Sequence, residues 1–281
     1  MQNVLVNDKL NPNKMLWERG DFTQIAKTMR ESGEALVAQL GIVPGLRVLD
    51  LGCGDGTTAI PMAKRGAKVL GVDIARNLVR AGNRRAHQER LDNISFQEGD
   101  ATNLSDISTK SFDLVVSIFG AMFAPRPLDV AKEMVRVTKA GGRIVMGNWI
   151  PGDPTLVAQV LKISSSLTPP PPEGFVSPML WGQENEVISR FENAGIPKEN
   201  IFFKRDIYEF HFNGTPSEFV AVFKNYYGPT MNAFDAAGAS GKAAELQRQL
   251  EELFKRQNIS KSSTLTSIPA AFLRVTVNIP D

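Results

Sequence analysis

From Leu46 onward, short apolar runs alternate with longer amphipathic stretches. The runs Arg47–Leu51, Val69–Val72, Ile94–Gln97, Phe112–Ile118 and Arg143–Gly147 read as strands. Between them, Thr57–Arg65, Arg76–Arg90 and Leu128–Thr138 place apolar residues at helical spacing. Strands with little polar alternation, each followed by a helix, describe a parallel sheet covered on both faces. Right-handed crossovers then make it a doubly wound α/β fold.

The flanks are less regular. Phe22, Ile25 and Met29 recur at helical spacing behind Asp21, and a second short helix restarts at Ser32 or Gly33 and stops at Gly41 and Pro44. After Gly147, Asp153-Pro154 opens a helix to about Ser165, with Asp as its cap. Four prolines, Pro169 to Pro172, force an extended segment, read as a stiff connector or as a wall of a substrate pocket. A helix over Glu184–Asn193 and a strand over Ile201–Phe212 follow, then helices over Pro216–Tyr227 and Lys242–Arg256 and a strand over Ala270–Val277. The pattern predicts one domain over residues 1–281: a helical cap (1–41), a ligand-binding core (46–149) and a second half (150–281). A helical insert at about 214–262 parts the last two strands, and Gly228, Gly238 and Gly241 mark it as mobile.

Hydrophobic residues make up 42% of the 281, enough for a full core. The 32 basic and 30 acidic side chains leave a net charge of +2, which creates no long-range field for nucleic acid. Cys53 is the only cysteine, so no disulfide forms within the chain. No window approaches the roughly 18 apolar residues of a membrane span. A soluble, cytoplasmic protein without a membrane partner is the expectation.

The chemistry concentrates in Val48-Leu49-Asp50-Leu51-Gly52-Cys53-Gly54-Asp55-Gly56, where an apolar strand enters a turn with three alternating glycines and a helix follows. Such a turn lets a ligand approach the backbone. A dinucleotide fingerprint needs its third glycine three residues after the second, and that place holds Thr57. Asp50 beside the turn would repel a pyrophosphate and suit an ammonium group, directly or through water. Asp73 closes the next strand, where a carboxylate can accept from two ribose hydroxyls. Asp100 follows the third, where it can accept from an adenine amino group. Three acids at one carboxyl edge imply a ligand with a cationic end, a ribose and an amino-purine.

These segments resemble the class I S-adenosylmethionine-dependent methyltransferases, in particular the small-molecule branch similar to ubiquinone-biosynthesis methyltransferases. Asp50 to Gly56 matches the first motif, Asp73 the ribose acid and Gly99-Asp100-Ala101 the adenine motif. Phe112 to Ser117 matches the fourth strand, and Ala140-Gly141-Gly142-Arg143 the turn before the fifth. The resemblance implies a Rossmann-like, seven-stranded, mostly parallel sheet with an antiparallel last strand. It implies S-adenosylmethionine as cofactor, held by Trp17, Asp50, Gly52, Cys53, Gly54, Gly56, Asp73, Ile74, Asp100, Ala101 and Ser117. Trp17 and Asp21 would close over it, unless they only staple and cap the first helix.

Methyl transfer from a sulfonium is a direct displacement, which needs alignment, exclusion of water and, for some acceptors, a base. Phe119, Met122 and Phe123 after the fourth strand, with Trp149 after the fifth, form the expected acceptor pocket, apolar and aromatic. The stretch lacks the Asn/Asp-Pro-Pro-aromatic signature of base-amino methyltransferases and any carboxylate cluster for a metal. A small apolar acceptor is therefore expected, with neither nucleic acid nor metal. His211 and Tyr226 are the candidate bases, although strand alternation groups His211 with Arg205 and Glu209 on the polar face. The competing readings are a nicotinamide-dependent oxidoreductase and a cofactor-binding sensor without catalysis.

Overall fold

A computed structural model describes residues 12–171 and 173–281. The part of the cap before residue 12, and Pro172, lie outside the described residues.

Five parallel strands carry the apolar runs: β1 (Arg47–Leu51), β2 (Lys68–Asp73), β3 (Ile94–Glu98), β4 (Phe112–Ile118) and β5 (Thr138–Trp149). Their crossovers use α3 (Ala59–Lys64), α4 (Arg76–Gln88) and α5 (Pro127–Val137). With β6 (Ile201–Phe212) and β7 (Thr266–Asn278) the sheet runs β3-β2-β1-β4-β5-β7-β6. The last strand β7 lies antiparallel between β5 and β6, so β6 points the same way as the first five. This is the Rossmann-like methyltransferase arrangement.

Successive side chains of β1 and β4 leave opposite faces, and each face has its own core. Val48, Leu114 and Val116 pack against α3 and α4 residues such as Ile60 and Val79. Leu49, Leu51 and Val115 pack with Val130 and Met134 of α5 and with Phe191 of α7 (Glu184–Glu192). The chain reverses order at β1 and β4, which leaves a crevice at the carboxyl ends of the strands.

Two short helices are expected before β1; after α1 (Pro12–Glu18) the structure has a single α2 (Thr23–Ala38). Gly33 does not break it. A Cβ there would lie 2.7 Å from Thr57 Cγ2 and 2.9 Å from Tyr208 Oη, so the glycine lets α2 press onto the sheet edge. Helix α6 (Leu156–Ser166) starts later than Asp153-Pro154 suggests, because Asp153 Oδ1 accepts from the Thr155 amide at 2.8 Å and forms a turn ahead of it. The insert holds α8 (Pro216–Tyr226), α9 (Gly228–Ala239) and α10 (Ala243–Gln257). Its glycines, expected to loosen it, include Gly228 at the start of α9, where a Cβ would lie 2.3 Å from Leu16 O. That glycine brings α1 against the insert, and Arg19 ties the two together through Asn232 and Asp235. Among the described residues no helix is long and apolar enough to cross a membrane.

Candidate active site

A cleft of about 910 Å³, counting its open mouth, lies at the carboxyl edge of β1 to β4. The turn after β1 shapes its floor. Gly52 (φ +70°) and Gly54 (φ +55°) take left-handed conformations that glycine adopts without strain. A Cβ on Gly52 would sit 2.6 Å from Gly120 Cα, so the turns after β1 and β4 touch backbone to backbone. Above Gly54 the nearest atom to an added Cβ is Phe22 Cε1 at 4.0 Å, which leaves the backbone open to a ligand.

Asp73 ends β2 at the cleft and is 8% exposed. Its Oδ2 accepts from the Gly54 amide at 2.7 Å and its Oδ1 from the Ala75 amide at 2.9 Å. A carboxylate has about four lone-pair sites, so each oxygen keeps capacity for a ligand hydroxyl. Burial raises the Asp73 pKa and these amides oppose the rise. Asp100 sits on the loop after β3, where its Oδ1 accepts from the Thr102 amide and hydroxyl, both at 2.8 Å. Cys53, Ile74 and Ala101 line the same cleft, and burial pushes the Cys53 thiol up, which keeps it neutral. Trp17 from α1 and Phe22 close the top, with the Trp17 indole N–H donating to Asn13 Oδ1 at 3.2 Å.

A second chamber of about 450 Å³ adjoins the first, and Trp17, Phe22, Met29 and Phe119 line both. The remaining walls come from Ile25 of α2, Phe123, Trp149, three aliphatic residues of α6, Phe210 of β6, and Phe223 and Tyr227 of the insert. Phe119 stands at the partition with φ +60°, a strained value for a bulky residue. Its ring stacks on Trp149 with centroids 3.6 Å apart and planes 8° from parallel.

Several expected site residues sit elsewhere. Asp50 is 1% exposed and lies beneath the turn, where its Oδ2 accepts from Thr58 Oγ1 at 2.6 Å and its Oδ1 has no partner. Gly56 (φ +88°) makes room for Phe96, whose Cζ would be 2.7 Å from an added Cβ, and does not line the cleft. Ser117 is a brace: its hydroxyl donates to Leu51 O at 2.6 Å and accepts from the Ala121 amide at 2.9 Å. Met122 is a core residue, 1% exposed, outside both cavities. Asp21 sits ahead of α2, where its Oδ1 accepts from the Thr23 amide at 3.2 Å and its carboxylate holds the Thr23 and Gln24 side chains. The described prolines Pro169 to Pro171 are exposed and line neither cavity.

Both candidate bases are misplaced. The β6 alternation turns Tyr208 and Phe210 inward and His211 outward, where His211 Nδ1 lies 3.2 Å from Ser267 Oγ and Nε2 lies 3.8 Å from Glu31. Tyr226 is 38% exposed, and the next residue, Tyr227, is the one that enters the chamber. Sequence reading missed Tyr208 in the cleft and the α6 wall of the chamber. The inward aromatic alternation of β6 was the available signal for the first.

A methyltransferase domain model matches residues 48–142. The Mycobacterium tuberculosis protein Rv1405c is 34% identical over 247 residues, 86% of each chain. A demethylmenaquinone methyltransferase of Renibacterium salmoninarum is 38% identical over 114 residues, 41% of this chain and 46% of that one. The chain belongs to the class I S-adenosylmethionine-dependent methyltransferases. The methyltransferase shares its fold with Haemonchus contortus phosphoethanolamine N-methyltransferase 2, at a TM-score of 0.61 and 16% identity, over 97% of this chain and 61% of that one.

The cleft fits the methyltransferase cofactor on its own chemistry. Among the described residues its lining includes Asp55, Asp73 and Asp100 and no lysine, arginine or histidine. A pyrophosphate would find no cationic side chain there, whereas a ligand with a cationic end and ribose hydroxyls meets the Asp73 and Asp100 carboxylates. S-adenosylmethionine supplies a methyl group on a positively charged sulfur. Asp55, 1% exposed, is held by Arg30 at 3.0 Å and Arg85 at 3.3 Å, which pins the turn to α2 and α4.

Proposed function

We propose that this methyltransferase acts on a small, apolar acceptor held in the aromatic chamber. The observation that carries this reading is that none of the 13 residues lining the chamber is charged. The chamber meets the cofactor cleft at Phe119, so an acceptor lodged there lies against the reacting end of the cofactor. The similarity to a demethylmenaquinone methyltransferase supports a small-molecule acceptor over nucleic acid.

In this reading Gly52, Cys53 and Gly54 hold the amino-acid end of the cofactor, Asp73 and Ile74 the ribose, Asp100 and Ala101 the adenine, and Trp17 covers it. Asp50 braces the glycine turn from below through Thr58. Phe119, Phe123 and Trp149 align the acceptor and exclude water. The chain works as one unit, with the cap and insert roofing a site whose floor is the sheet edge.

The test is transfer of labelled methyl from S-adenosylmethionine to a metabolite extract, with the product identified by mass. Label on an apolar small molecule, lost in Phe123→Ala, supports the reading. Label found only on nucleic acid or on highly charged metabolites refutes it.

A further inference from the structure

The sheet ends at β6, and the first half of that edge is unguarded. In an antiparallel pair, alternate residues turn their backbone N–H and C=O away from the partner strand. Ser32 Oγ accepts from the Glu209 amide and donates to the Glu209 carbonyl, both at 2.9 Å, so the odd-numbered residues of β6 face outward. The unbroken register with β7 carries this alternation back to Ile201. At Ile207 the outward amide donates to Asp206 Oδ1 at 3.0 Å. Among the described residues, the outward backbone groups of Phe203 and Arg205 have no partner. The sheet face beside this stretch is open as well. A concavity of about 880 Å³ there, open to solvent, has Arg143, Lys204 and Arg274 in its lining and no acid. Arg143 and Arg274 are held on the end of α2 through Leu40 O and Gln39 Oε1, so their charges are fixed in place. Asp206 lies 3.3 Å from Arg274 and 3.7 Å from Lys204 and offsets one of the three charges.

We propose that the first half of β6 is a docking edge for a partner protein, which adds an extended segment of alternating acidic and apolar residues as a further strand. The visiting main chain bonds Phe203 and Arg205. Its acids meet Lys204, Arg274 and Arg143 on one face, and its apolar residues meet Phe203 and the exposed Ile207 on the other. A second copy of this chain does not fit. Pairing two such edges brings their Lys204 and Arg205 side chains together, which is how edge strands are kept from associating. An acidic strand turns the same charge into attraction. Phe202 and Lys204 line neither the cleft nor the chamber, so docking here leaves the methyl-transfer site accessible.

The probe is a fluorescent peptide of alternating glutamate and valine with blocked ends, titrated into the full chain at low salt and followed by anisotropy. It should bind, and its lysine–valine counterpart should not. N-methylation of either the glutamate or the valine amides keeps the side chains and removes the donors along one side of the peptide. One of these two analogues should therefore bind about tenfold less tightly. Hydrogen exchange at the Phe203 and Arg205 amides should be fast in the free protein and slowed by the peptide. Lys204→Glu, at an exposed side chain, should melt and turn over like the parent and bind the peptide about fivefold less tightly. No binding of the glutamate peptide, equal binding of both N-methylated forms and the parent peptide, or unchanged exchange at Phe203 and Arg205 overturns the proposal. Protection of those amides without peptide, rising with protein concentration, overturns it in favour of a second copy.

Discussion

Replacing Asp50 by asparagine should stabilise the cofactor-free protein at alkaline pH. Asp50 is fully enclosed beneath the glycine turn, with one oxygen bonded to Thr58 and the other unpaired. Burial pushes its carboxyl from the ordinary 3.8 up to about 7, against the Thr58 bond, and nearby Asp73 adds to the rise. The folded protein thus keeps this proton up to about pH 7, whereas the unfolded chain releases it near 3.8. The contribution to stability is complete below 3.8, declines as pH rises and is lost above 7. At 1.36 kcal/mol per unit the loss reaches about 4 kcal/mol as an upper bound. Asparagine carries no charge to bury but leaves its own amide partly unsatisfied, a cost of about 1–3 kcal/mol. The net gain is about 1–3 kcal/mol at pH 8, or roughly 2–6 °C in Tm for a chain of this size. Melting curves of both proteins at pH 5 and pH 8, without cofactor, measure it. The asparagine variant should show the larger advantage at pH 8 and a flatter pH dependence. A variant less stable at pH 8, or one with the parent's pH slope, would refute the reasoning.

Asp73→Asn should weaken S-adenosylhomocysteine binding ten- to a hundredfold by calorimetry, since the bonds to a charged acceptor are worth about 1–3 kcal/mol. An unchanged Kd removes Asp73 from the site. At Phe119 both Ala and Gly remove the partition, so turnover should fall on the order of a hundredfold in each. Because φ there is +60°, the Gly variant should be more stable than the Ala variant by about 1 kcal/mol in chemical denaturation. Equal stabilities would mean the backbone relaxes. His211→Asn should keep near-parent turnover and the parent's pH–rate profile. A variant without turnover but with intact cofactor affinity would restore His211 as the base.

The sequence by itself determined the sheet and the cofactor end of the site. Buried parallel strands are apolar on both faces, and a backbone that must approach a ligand needs glycine; both requirements are local and leave their mark in consecutive residues. Hence β1 and β4 lie where their apolar runs place them, and Gly52, Gly54, Asp73 and Asp100 share one edge. Long-range contacts decided the rest. Gly33 reads as a break until Thr57 and Tyr208 are seen against it, and Gly228 reads as a hinge until Leu16 is seen above α9. Asp50 and Ser117 stand in the right motifs, yet a few ångströms of depth make one a buried carboxyl and the other a brace. Tyr226 and Tyr227 are adjacent and alike. Only the turn between α8 and α9 sends the second into the chamber and the first to solvent, because that turn is fixed by packing against α1 and not by either tyrosine.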